Sequence, residues 1–255
     1  MVVRNLFLTL GLVLLLTSCT SLQKDIKSIA QTSKASNIKD DYLIIQNLLK
    51  DFKTKLDKRN PTQFNKNHQR NIYSLFKSQN KSFYIRYDNL VLKNYKEYLQ
   101  LAFDKNDINN RNDFLVLGLY YLLYYGYNIE EGHKVTALQY DKERLSKAHK
   151  NLQIIRWKLK STKDLNDKYL FLTWQNNWQI ELEKKVLNGE KLSFEEIQKL
   201  KFIKEQRESL FDPSNFSFEV ILSKMIHRVE NSLKAMGQEP KELSISAIRG
   251  MFLFL

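Results

Sequence analysis

Seven tyrosines crowd one stretch of the chain at spacings that could build a recognition surface: Tyr84, Tyr87, Tyr95, Tyr98, Tyr121, Tyr124 and Tyr125. They belong to a group of ten, out of 13 tyrosines in all, that falls between positions 84 and 140. A tyrosine joins an apolar ring to a polar tip, which suits both cores with a wet edge and binding grooves. A groove between helices lined this way could hold a peptide, a glycan or a small solute. The same residues also suit plain helix packing in a chain rich in Lys, Asn, Ile, Phe and Tyr together. Other chemistry is sparse. The four histidines, His68, His133, His149 and His227, make no i, i+4 pair. Glu130-x-x-His133 has the spacing of a carboxylate-bridged site, but a di-iron bundle needs two such pairs and two further glutamates. There is no glycine-rich phosphate loop and no Gly-x-Ser-x-Gly elbow. No metal or cofactor is therefore expected, and no motif makes a positive case for an enzyme.

The single cysteine, Cys19, closes a short apolar run. Met1 to Asn5 carries one positive charge, Leu6 to Leu16 is apolar apart from Thr9 and Gly11, and Thr17 and Ser18 are small. This is the anatomy of a secretory signal peptide. The apolar run is about half the roughly 20 residues that a spanning helix needs. With Leu16-Thr17-Ser18-Cys19 the segment resembles the lipobox of bacterial lipoproteins. The resemblance implies cleavage after Ser18, a diacylglyceryl group on the Cys19 sulfur, and acylation, commonly by palmitate, of the new amine. Two or more acyl chains hold a protein on a membrane durably where one does not. Thr20 stands where an Asp favours inner-membrane retention in enterobacteria, so the expected address is the outer membrane, facing the periplasm. With no second thiol, no intramolecular disulfide can form.

Two shorter resemblances concern the body of the chain. Phe114-x-x-Leu117-Gly118-x-x-Tyr121 is similar to the first-helix half of a tetratricopeptide repeat, in which the small glycine lets a second helix approach. No second copy stands about 34 residues away. Residues 208–217 (ESLFDPSNFS) are similar to the Glu-Ser segment of lytic transglycosylases, which cleave peptidoglycan. That resemblance implies Glu208 as a general acid acting on the glycosidic oxygen. The family continues with a glycine-rich stretch and a Gln, and here Phe218-Glu219-Val220-Ile221-Leu222 follows instead.

The net charge of +13 suits attraction to anionic partners such as lipid head groups or cell-wall polymers. The lysines are spread along the whole chain, which equally fits a biased composition. Nucleic acid is not expected as the partner of an exported lipoprotein.

The elements that must position these residues read as helices almost without a break. Residues 1–18 are the signal peptide, 19–37 the lipidated Cys and a polar tether, and 38–255 a single helical domain. A flexible tether of that length spans about 20–25 Å. Ile38, Tyr42, Ile45, Leu49, Phe52 and Leu56 step by 4, 3, 4, 3 and 4 along one helical face. Asn60-Pro61 restarts a helix, and a third is expected over 82–104. Residues 114–127 are apolar on all sides, which marks a buried central helix. A fifth helix is expected over 133–160, with Leu138, Leu145, Leu152 and Leu159 at heptad spacing. These leucines could form a self-association seam or one face of a bundle helix. Ser161 and Asp164 read as the start of a sixth helix, which stops at Asn188-Gly189. Ser193 and Glu196 form the sharpest capping box. A further helix ends at Gly237, Pro240 opens a last one, and the apolar tail 251–255 is expected to dock. No alternating strand pattern is visible.

The expected fold is all-α, about nine helices arranged as a bundle or a superhelical repeat-like array. The expected role is a lipid-anchored docking or accessory subunit of an envelope complex. The alternatives are a carrier using the Tyr-rich groove for a small or lipidic ligand, and a peptidoglycan-cleaving enzyme using Glu208.

Overall fold

The apolar stripe from Ile38 to Leu56 lies at the centre of a four-helix core in the computed structural model. The structure describes residues 2–77, 82–132, 134–173, 177–205 and 216–251, with the backbone alone for residues 2–28, 177 and 216. The fold is all-α, with ten α-helices among the described residues. Glu208, His133, Trp174 and the tail beyond Met251 lie outside them, as does the side chain of Cys19.

Helix α1 (Val2–Arg59) carries the six stripe residues, all buried. Helix α4 (Arg111–Gly126) is buried on nearly every side, as the apolar run that begins at Phe114 requires. Helices α5 (Lys142–Ser161) and α9 (Phe216–Ala235) complete the ring, in which α1 and α5 each touch both α4 and α9. Tyr42 of α1 meets Tyr127 at 5.1 Å between ring centroids. Phe52 meets Phe218 of α9 edge-on at 5.6 Å. Each large apolar side chain buried this way contributes about 1.5–3 kcal/mol. The first helix thus pairs with the ninth. In a repeat array each unit would touch only its neighbours, so this is a bundle.

Around the core sit α2 (Lys66–Leu75), α3 (Tyr95–Ala102), α6 (Asn177–Leu187), α7 (Phe194–Gln198), α8 (Lys201–Lys204) and α10 (Ile245–Arg249). Helix α3 lies directly on α4. A Cβ on Gly118 would stand 2.6 Å from a Leu99 methyl, so the close approach there belongs to α3, the preceding helix. Gly126 plays the same part toward α5, where a Cβ would lie 2.6 Å from that of Ala148.

Several expectations are corrected. The segment 20–37 is helical and continuous with α1, and Ala35 is already buried. The expected third helix is shorter, because residues 86–91 form a hairpin of β1 (Arg86–Tyr87) and β2 (Leu90–Val91). Its turn residues Asp88 and Asn89 both have positive φ, 47° and 64°, matching the twist of a tight hairpin. Helix α5 begins at Lys142, not near 133, because the Asp141 carboxylate accepts from the backbone N–H groups of Glu143 and Arg144. Leu138 therefore lies outside the helix and is 73 % exposed, while Leu145, Leu152 and Leu159 are buried in the core. Three of the four heptad leucines thus face the core of this chain. The expected sixth helix does not start at Ser161, whose hydroxyl bonds back to the Trp157 carbonyl; residues 162–173 are not helical, and α6 begins at Asn177. The last helix is capped by Ser244 and not opened by Pro240. By contrast, Ser193 and Glu196 form a complete capping box, and Gly189 and Gly237 take positive φ beyond α6 and α9.

Candidate functional site

The tyrosines divide into a lower layer whose hydroxyls bond the backbone and an upper layer of which Tyr84 alone is largely exposed. In the lower layer the Tyr98 hydroxyl accepts from the Ile85 N–H and donates to the Leu92 carbonyl, both at 3.0 Å. The Tyr121 hydroxyl accepts from the Phe83 N–H at 3.2 Å and donates to the Phe83 carbonyl at 2.8 Å. These four bonds tie the hairpin segment to α3 and α4. Burial pushes the Tyr98 phenol up to about 12 and raises that of Tyr121 further, despite the backbone bonds that oppose the shift. Both stay protonated and can donate.

The upper layer lines a groove of about 590 Å³. Tyr84, 43 % exposed, stacks on Tyr121 at 5.4 Å with the rings 11° from parallel. Tyr95 leans on Tyr125 at 5.7 Å, and the Arg144 guanidinium lies 4.8 Å from the Tyr125 ring centroid. Tyr124 stacks on Tyr120 at 6.0 Å. Burial raises the phenols of Tyr95 and Tyr124, and Glu130 adds to the shift at Tyr124. Lys93, Lys96 and Lys147 also line the groove, and none has a carboxylate partner among the described residues. Its acid, Glu130, pairs with Arg144 at 2.6 Å. The groove thus combines an aromatic floor with excess positive charge.

Of the seven tyrosines expected to form a groove, Tyr84, Tyr95, Tyr121, Tyr124 and Tyr125 do so together. Tyr98 lies buried beneath, and Tyr87 faces a separate concavity beside His68 and Phe114. His149 is buried against Glu230 at 3.1 Å, and His227 is exposed near the same carboxylate. Among the described residues, no group of His, Cys, Asp and Glu could hold a metal ion.

One cluster was not read from the sequence. Lys53 is fully buried, 2.6 Å from Asp57 and 2.8 Å from Asp113. The other Asp113 oxygen lies 2.9 Å from His68 Nδ1. Asn112 donates to Asp57 and to the Asn60 carbonyl, at 3.1 and 3.0 Å. Asn60 in turn clamps the backbone of Leu172, donating to its carbonyl and accepting from its N–H. The signal available was the polar run Asn109–Asp113, whose last three residues form the first turn of the otherwise apolar α4. Such a run must be satisfied internally if the helix is central.

Family models, curated proteins and solved structures yield no match to this chain. Among the described residues, no helix is long and apolar enough to cross a membrane.

Proposed function

We propose that this protein is a lipid-anchored, envelope-facing docking subunit whose tyrosine groove receives an acidic segment of a partner protein. The observation that carries the reading is the pairing of five groove tyrosines with Lys93, Lys96 and Lys147, while Glu130 is neutralised by Arg144. Aromatic faces give contact area at low entropic cost, and unpaired lysines steer and select an acidic sequence. The exposed edge of Tyr84 suits an extended segment better than an enclosed small ligand. The anchor is the lipobox-like segment ending at Cys19. A helix from Cys19 to Ala35 would hold the body about 24 Å from the lipid.

The test places a photo-crosslinking amino acid at position 84 of the full chain in intact cells. The reading expects one reproducible envelope protein, crosslinked through an acidic segment and lost in Lys93→Glu/Lys96→Glu/Lys147→Glu. It expects palmitate incorporation that Cys19→Ser abolishes. A groove that crosslinks nothing, or whose partner is indifferent to the three charge reversals, refutes the docking role. Absence of palmitate in the wild-type chain refutes the anchor.

A further inference from the structure

A concavity of about 920 Å³ lies apart from the tyrosine groove. It opens beside the buried polar cluster, between the 3-10 turn at residues 61–63, the loops at 104–110 and 162–172, α6 and α8. Leu165, Tyr169, Ile180 and Phe202 give it apolar and aromatic walls. Lys105, Lys168, Lys184 and Lys201 stand around it, and none has a carboxylate partner among the described residues.

Two acids nearby are held in place by backbone amides and keep their charge. One oxygen of Asp164 accepts from the N–H groups of Asn166 and Lys168, each at 2.8 Å. The Glu181 carboxylate accepts from the N–H groups of Lys201 and Phe202, at 3.1 and 3.4 Å. With Asp107 they make three carboxylates against four ammonium groups and the Arg111 guanidinium, so the lining keeps a net positive charge of two.

Beneath them lies Arg111, only 4 % exposed. Its guanidinium donates to the carbonyls of Ala102, Asp104 and Asn106, at 2.9, 2.7 and 2.6 Å. Among the described residues no carboxylate stands within ion-pair distance of it. Asp104, Asp107 and Asp164 act on it only from further out, and burial pulls its pKa down. A buried cation satisfied by carbonyl dipoles keeps its net charge, and a low-dielectric wall projects that charge into the cleft. Arg111 also fixes the 102–106 backbone that carries Lys105.

We propose that this cleft binds an organic anion that carries a phosphate and an apolar or aromatic portion. Ammonium groups act as point-charge phosphate binders, and the volume lies within the range of small-molecule sites. The phosphate takes the Lys105–Lys184–Lys201 side, above Arg111, and the apolar part rests on Tyr169 and Phe202. This site is independent of the tyrosine groove and does not rest on its proposed partner.

The test uses the full chain in nanodiscs of zwitterionic lipid, with binding followed by calorimetry. The probes are phenyl phosphate, inorganic phosphate and neutral phenyl glucoside. The expected result is saturable binding of phenyl phosphate, at least tenfold weaker binding of inorganic phosphate, and none of the glucoside. Lys105→Gln/Lys184→Gln/Lys201→Gln, at exposed positions, should weaken phenyl phosphate at least tenfold with an unchanged melting temperature. Lys93→Gln/Lys96→Gln in the other groove should leave it unchanged. Vesicles of phosphatidylglycerol that displace phenyl phosphate assign the anion to a lipid headgroup; vesicles that do not assign it to a soluble phosphate. No saturable binding, equal binding of the two phosphates, or full binding by the triple variant overturns the proposal.

Discussion

The Lys53 ammonium and the Asp113 carboxylate meet at 2.8 Å with neither side chain exposed to solvent. A buried ion pair adds little over a well-packed apolar pair, but removing one partner strands the other. Lys53→Met should therefore destabilise the fold by about 3–5 kcal/mol, because Asp57 and Asp113 are left facing each other without a cation. Lys53→Met/Asp113→Asn should recover part of that loss. Urea denaturation of both variants checks it; two additive losses would show that the pair is not coupled.

Helix α4 leaves no room for a methyl group at Gly126. A Cβ there would sit 2.6 Å from the Ala148 Cβ, an atom with no rotamer to yield. Gly126→Ala gains about 1 kcal/mol in helix propensity, yet overpacking of about 1–3 kcal/mol should outweigh it. The melting temperature should fall, and Gly126→Ala/Ala148→Gly should restore most of it. Gly118→Ala should be milder, since the neighbouring Leu99 side chain can turn aside.

Tyr98→Phe should loosen the floor of the groove. It removes a hydroxyl bonded to the Ile85 N–H and the Leu92 carbonyl, and leaves both buried. The expected cost is about 1–3 kcal/mol. Amide exchange should accelerate at Ile85, and Tyr84, on the same segment, should lose its fixed stack on Tyr121. Unchanged protection at Ile85 would count against this account.

Asp41 gives the fold a pH signature. Desolvation raises its pKa, outweighing the lowering by Arg228, Ser232 and His227. The folded state therefore holds the proton more tightly than the unfolded state. Its favourable contribution is complete below the ordinary carboxylate pKa and is lost as pH rises through the folded value. Asp41→Asn mimics the protonated acid. Relative to wild type, it should be least favourable near pH 3.5 and improve toward pH 7. Denaturant midpoints at three pH values test this; a constant difference would refute it. Asp57, also raised by desolvation against the pull of Lys53, should add to the same slope in the wild type.

The long helices were legible because their signals are periodic and local. The Ile38–Leu56 stripe, the wholly apolar 114–127 segment and the Ser193 cap all appear where the spacing puts them. The hairpin at 86–91 was not legible, since strands of two residues carry no alternation and Asp88-Asn89 is an uncommon turn pair. Tyr84 and Tyr95 then sit on either side of that hairpin, not on one helix, yet they reach the same groove through the fixed positions of Tyr98 and Tyr121. The Lys53–Asp57–Asp113–His68 cluster was invisible for another reason. Its members come from three helices, and only the fold shows that a lysine one step from Phe52 points inward.

The pairing of α1 with α9 sets an order of events for the polypeptide. Asp41 waits for Arg228 and Ser232, and Phe52 waits for Phe218. A nascent chain therefore keeps the α9-facing part of its first amphipathic face unmatched until nearly the whole length has been made, although α4 covers another part earlier. Any truncation upstream of residue 216 leaves that part bare, to be covered by a chaperone or removed by a protease.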